Sequence, residues 1–160
     1  MNKALKRLLT EFKEISDDPN SLYSICPNED NVLLWEFIVF GPPDTIYEGG
    51  IFEGFIEFPS NYPSNPPKVK FKNILHPNIY KNGEVCISIL HEGSDVFGYE
   101  KDIERWLPSH GVNTIMISII SMLSAPNFES PANVDASILW KDNPELYKDK
   151  IYSLVTLSQK

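Results

Sequence analysis

Asn78 and Cys86 stand eight positions apart, inside His76-Pro77-Asn78 and Gly83-Glu84-Val85-Cys86-Ile87-Ser88-Ile89-Leu90. An amide side chain and a thiol are thus close along the chain, with a proline turn and a glycine between them. The thiolate is the working nucleophile of any cysteine, so the environment of Cys86 decides whether it acts. Taken alone, a cysteine is more often a small buried core residue than a nucleophile. Two other chemistries fit these residues poorly. Cys86 and His91 pair as a hydrolase dyad only within one short segment, whereas such partners usually converge from distant parts of a chain. A metal would have to recruit His76, Cys86, His91, His110 or Cys26, and none shows paired C-x-x-C or H-x-x-x-H spacing. Gly49-Gly50 lacks the lysine and spacing of a phosphate loop and reads as a strand-entry turn.

The elements that must position this segment follow from periodicity. Leu5, Leu8, Leu9, Phe12 and Ile15 recur at helical spacing, and Asp17-Asp18-Pro19-Asn20 stops that first helix. Strands are predicted over residues 22–26, 32–40, 51–58 and 69–72, joined by short polar connections that favour an antiparallel meander. Pro59, Pro63, Pro66 and Pro67 are too dense for a helix or central strand, and Tyr62–Pro63 is a candidate cis bond. Residues 74–108 contain only a short apolar run near Val85, and irregular chain of that length is usually functional. Residues 114–123 are apolar on nearly every side and predict a buried helix with Asn113 as its cap. Asn133 caps a short helix to Trp140, and Asn143-Pro144 opens a last one with Leu146, Tyr147, Ile151, Leu154 and Val155 inward. The expectation is one α+β domain over residues 1–160.

Composition removes several classes of function. At 160 residues, 42% hydrophobic and 22% charged, the chain has an ordinary globular balance. A net charge of −8 argues against nucleic-acid binding. No apolar run reaches the roughly 20 residues that span a bilayer, and the first residues lack a signal-peptide core. Two cysteines, Cys26 and Cys86, favour a reduced, cytoplasmic setting over a disulfide framework.

Several stretches in order carry a family resemblance. The His76–Cys86 pattern, Gly41-Pro42-Pro43-Asp44-Thr45-Ile46-Tyr47-Glu48-Gly49-Gly50, Phe58-Pro59-Ser60-Asn61-Tyr62-Pro63 and Trp106-Leu107-Pro108 resemble ubiquitin-conjugating (E2) enzymes. The resemblance implies the E2 fold: an N-terminal helix, a four-stranded antiparallel meander and C-terminal helices. It implies that Cys86 takes ubiquitin from an activating (E1) enzyme as a thioester and delivers it to lysine with a ligase (E3), commonly a RING protein. Because ATP is consumed upstream, no cofactor is expected in this chain. Asn78 then either donates to the oxyanion or supports the loop, His76 has a structural part, and Glu129 is the candidate for orienting the acceptor. Ser130 stands where the family more often has aspartate. Leu5, Lys6 and Arg7, with Tyr62-Pro63-Ser64 and Trp106-Leu107-Pro108-Ser109, correspond to the partner-contacting surface, although Ser64 and Leu107 depart from the usual residues.

Residues 92–104 form an insertion before the Trp-x-Pro element. It carries Glu92, Asp95, Glu100, Asp102 and Glu104 against Lys101, with Gly93 and Gly98 for flexibility. It resembles the acidic-loop subclass, including the branch serving endoplasmic-reticulum-associated degradation, which Ser88 and His91 also suit. That implies proteasome-directing ubiquitin chains and recruitment to the ER surface by a partner. A solvated loop without function is the plainer reading. A carrier for another ubiquitin-like modifier and an inactive E2-like binding module are the alternatives, the second disfavoured by the presence of Cys86.

Overall fold

The computed structural model describes residues 2–160. Helix α1 (Lys3–Asp17) starts where the Asn2 side chain accepts the Leu5 N–H at 2.8 Å. Its inner face buries Ala4, Leu8 and Glu11 and leaves Leu9 exposed, a narrower stripe than periodicity implied. Strands β1 (Tyr23–Pro27), β2 (Leu34–Phe40), β3 (Ile51–Glu57) and β4 (Lys68–Phe71) follow, each pairing antiparallel with the next. The expected meander is present, with Val32 outside β2. Inner and outer residues alternate along β2 and β3, so Trp35, Phe37 and Val39 face Ile56, Gly54 and Phe52 on one buried side. Gly54 is required there: a Cβ would sit 2.4 Å from the Lys70 carbonyl and from the Phe37 ring.

The proline-dense crossing from β3 to β4 contains the anticipated cis bond, Tyr62–Pro63. Helix α2 (Val112–Ser124) lies in the core, burying Ile115, Met116, Ile119, Ile120, Met122 and Leu123. It begins two residues earlier than its apolar pattern, behind Gly111. Asn113 therefore is not its cap; its side chain accepts the Tyr23 hydroxyl at 2.5 Å. Helices α3 (Val134–Asp142) and α4 (Pro144–Ser158) pack on each other, capped by Asn133 and Asn143 as their sequences suggest. Tyr147, Ile151 and Val155 form the inner face of α4, whereas Leu146, one step round the helix, is exposed. The whole is an α+β fold with the sheet and α2 sharing one core. No helix among the described residues is long and apolar enough to cross a membrane.

Candidate active site

The turn that carries Asn78 is anchored from beneath. His76 is wholly buried, and its Nε2–H donates to the Met122 carbonyl of α2 at 2.9 Å. Its Nδ1 is left to accept the Asn78 backbone N–H, also at 2.9 Å. Burial holds the ring neutral, with a pKa lowered to about 4 despite the Met122 hydrogen bond. The hydroxyls of Tyr47 and Tyr147 both donate to the Leu75 carbonyl, at 2.7 and 3.0 Å. Both ring nitrogens of His76 are thus taken up by backbone partners, a bracing geometry.

Asn78 is buried and clasps the backbone of Asn127. Its Nδ2 donates to the Asn127 carbonyl and its Oδ1 accepts the Asn127 N–H, each at 2.8 Å. Asn127 in turn accepts the Glu129 N–H on its own side chain at 2.9 Å. The amide thus fixes the segment bearing exposed Glu129 against the cysteine turn, the loop-supporting half of its expected roles. The Asn78 carbonyl takes the Cys86 N–H at 2.9 Å, and Ile79 bridges Val85. Gly83 closes this hairpin-like turn at φ +96°, with no room for a Cβ, which would lie 2.1 Å from the Phe71 carbonyl.

The half-buried Cys86 has a base beside it. Its Sγ lies 3.7 Å from His91 Nε2, and His91 Nδ1 lies 2.9 Å from the Glu100 carboxylate. A carboxylate fixes the proton on Nδ1 and turns the Nε2 lone pair toward sulfur. Glu100 also accepts the Ser88 hydroxyl and, at 2.5 Å, Arg105 Nη1. Burial raises its pKa, but the hydrogen bonds from Ser88 and His91 and the Arg105 guanidinium outweigh that and hold it below the usual range. The Cys86 thiol is pushed up, first by burial and then by Glu100 and Glu84, while the nearby Tyr80 hydroxyl pulls the other way. A resting thiol of this kind is protonated at neutral pH, and His91 is placed to take its proton as it attacks. Short spacing made this pair look implausible from sequence. The insertion folds back and brings Glu100 behind the imidazole, which spacing alone does not reveal.

The partner-facing residues divide. Lys6, Ser64, Leu107, Pro108 and Ser109 are exposed, and Leu5 and Pro63 are half-buried. Tyr62 and Trp106 do not face outward: both are buried, Trp106 donates to the Pro63 carbonyl at 2.8 Å, and Tyr62 donates to Glu11 at 2.5 Å. Glu11, missed in the sequence, also accepts the Val112 N–H at 2.7 Å and Arg7 Nε at 3.1 Å. Arg7 is further bound to the His110 carbonyl at 2.8 Å. One buried carboxylate therefore joins α1 to both surface loops. Glu11 shares the helical face of Ala4, Leu8 and Ile15, and a carboxylate at that inward position is the one signal the sequence offered.

A four-stranded meander followed by an Asn-braced cysteine turn is the setting in which comparison with known proteins becomes informative. The profile of the family described as "Ubiquitin-conjugating enzyme" matches residues 7–155. The chain belongs to the ubiquitin-conjugating (E2) enzyme family. It is 50% identical over 157 residues to the "Probable ubiquitin-conjugating enzyme E2 7" of Caenorhabditis elegans, covering 97% of this chain and 94% of that protein. It is 52% identical to "Ubiquitin-conjugating enzyme E2 7" of Arabidopsis thaliana over 155 residues, covering 95% and 93%. Against "Ubiquitin-conjugating enzyme E2 G2" of Homo sapiens it is 47% identical over 147 residues, covering 90% and 89%. E2 enzymes are ubiquitin transferases that work through a cysteine thioester, with ubiquitin, an activating enzyme and a ligase as partners.

Proposed function

We propose that Cys86 is the residue that carries ubiquitin. The carrying observation is the pairing of its half-buried thiol with His91 at 3.7 Å, at the end of the turn braced by Asn78. Cys26 is exposed on β1, its thiol donating to the Pro27 carbonyl at 3.5 Å. In charging, the Cys86 proton passes to His91 Nε2, sulfur bonds to the ubiquitin C-terminal carbonyl, and the thiolate of the activating enzyme leaves. In discharge, a neutral lysine amine attacks the thioester carbonyl, its proton passes to solvent as the amide forms, and the C–S bond breaks with Cys86 leaving as thiolate, Glu129 orienting the amine. ATP is spent by the activating enzyme, so this chain works without a cofactor.

The insertion and its Ser88–His91–Glu100 cluster support assignment to the acidic-loop branch. On that reading the enzyme builds proteasome-directing chains with a RING ligase. It acts in the cytoplasm in proteasomal or ER-associated degradation, held at the ER surface by a partner. The test is incubation with activating enzyme, ATP and ubiquitin. We expect a thiol-sensitive adduct on the parent, a thiol-resistant oxyester or none on Cys86→Ser, and near-normal loading of Cys26→Ser. A thiol-sensitive adduct on the Cys86 variant would overturn the assignment.

A further inference from the structure

Helical spacing puts Leu5, Leu8, Leu9 and Phe12 on one stripe of α1. Across from it stand Pro27 at the end of β1, Val32 in the turn to β2, and Trp35 of β2. Together they line a cavity of about 140 Å³, and every side chain around it is aliphatic or aromatic. Leu9 and Val32, 57% and 49% exposed, stand at its mouth. Its floor is fixed: the buried Trp35 ring meets Phe12 and Phe58 edge-on, with centroids 5.9 and 5.1 Å away. The banks carry opposite charges. Lys6 and Lys13 are exposed on α1, three residues before and four after Leu9, and Glu29 and Asp30 are exposed in the turn beside Val32. Among the described residues none of these four enters an ion pair.

We propose that this groove docks a partner polypeptide that inserts one leucine- or phenylalanine-sized side chain, with an acidic residue on one flank and a basic residue on the other. Three observations select that occupant. The cavity is below the roughly 300–1,000 Å³ of cofactor and metabolite sites, whereas about 150 Å³ of apolar space holds a single benzene-sized ring. The unpaired lysines on one bank and carboxylates on the other match a segment of mixed charge and fix its direction, which neither an acyl chain nor a segment of one sign would satisfy. The groove also lies at β1 and β2, while the cysteine turn is joined to β4 at the other edge of the sheet, through Val85 N–H to the Val69 carbonyl and Phe71 N–H to the Gly83 carbonyl, each at 2.9 Å. An occupant here leaves Cys86 uncovered. The inference goes beyond the assignment of Cys86 and does not depend on it.

The probe is a library of random displayed peptides panned on the full, unloaded chain, so the result stands whether or not Cys86 carries ubiquitin. Enriched peptides are expected to share one bulky apolar residue between an acidic and a basic one. A synthetic copy of the strongest should bind the combined variant Leu9→Ser and Val32→Ser about tenfold more weakly than the parent. That variant should fold and charge as the parent does, because both side chains stand at the surface. The charge reversal Lys13→Glu, Glu29→Lys and Asp30→Lys should weaken the same peptide about threefold at low salt and favour a copy with its two charges exchanged. Failure to enrich any peptide overturns the proposal, as does equal binding to parent and Leu9–Val32 variant. Enrichment of purely apolar peptides overturns the stated chemistry of the partner. Slower charging of the Leu9–Val32 variant would give the groove to the activating enzyme, and concentration-dependent dimerisation lost in that variant would give it to a second copy of this chain. Either result overturns the proposal.

Discussion

The two stretches that flank Cys86 are built on opposite plans. Residues 76–79 bury their polar groups: His76 and Asn78 are inside and hydrogen-bonded, with Ile79 and Val85 buried beside them, and only the turn tip at Tyr80, Lys81 and Asn82 is exposed. Residues 92–104 turn their polar groups upon one another at the surface and leave Val96, Phe97, Tyr99 and Ile103 in water. Burial makes the first stretch expensive to alter, because each lost partner leaves an unsatisfied group in a dry environment. Exposure makes the second tolerant in stability and consequential only for what approaches it. Cys86 thus has a buried, hydrogen-bonded bed on one side and an ordered loop with an apolar exposed edge on the other.

Acid should strike the buried stretch hardest. The folded-state pKa of His76 is lowered to about 4, below its value of 6.5 in an unfolded chain. Its contribution is therefore complete above pH about 6.5 and is lost as pH falls toward 4, a difference of about 3 kcal/mol. Denaturant titrations between pH 7 and 4 should show that decline in the parent. His76→Asn, less stable at pH 7, should show a shallower one. Equal slopes would break the claim that this ring is held neutral.

Asn78→Ala removes both bonds to Asn127 and should cost about 1–3 kcal/mol, read as a fall in melting temperature. Because Asn127 also positions Glu129, discharge onto lysine should slow more than charging. An unchanged melting temperature with impaired discharge would transfer Asn78 from brace to oxyanion donor.

At the junction of the two stretches, His91→Asn should slow charging about tenfold at pH 7. The thiol pKa is raised, so the parent's charging rate rises with pH as thiolate forms unaided, and the gap between parent and variant should narrow in alkali. A constant ratio across pH would remove proton transfer from the role of this imidazole.

The smallest effect separates the carboxylates of the insertion. Asp102→Asn should slow chain formation about twofold, a loss that added salt erases as it screens the parent. Asp95→Asn keeps one acceptor oxygen and replaces the other with a donor, so one of the two bonds from the Phe97 and Glu100 N–H groups is lost and its effect should persist in high salt. Identical salt dependence in the two variants would mean that both act merely as surface charge.

Much of this molecule is set by short-range rules and could be read directly. The Asn133 and Asn143 caps, the antiparallel meander, the proline crossing and the turn before Cys86 depend on dihedral preferences and on hydrophobic periodicity, both local in the chain. The turn of the candidate nucleophile was legible for the same reason, since its glycine and asparagine lie within eleven residues, 76–86. Tertiary structure alone decided the rest. Tyr62 and Trp106 went inward because Glu11 and the Pro63 carbonyl wait there, delivered by segments distant in sequence. Asn113 lost its cap role because the helix starts behind Gly111, which leaves its side chain to accept the hydroxyl of the distant Tyr23. His91 became the neighbour of Cys86 because the insertion closes on itself through Arg105 and Glu100, turning a stretch that reads as acidic into one that displays hydrophobic side chains. A hydrogen bond between remote segments depends on where the fold brings them, and no periodicity or spacing encodes that meeting.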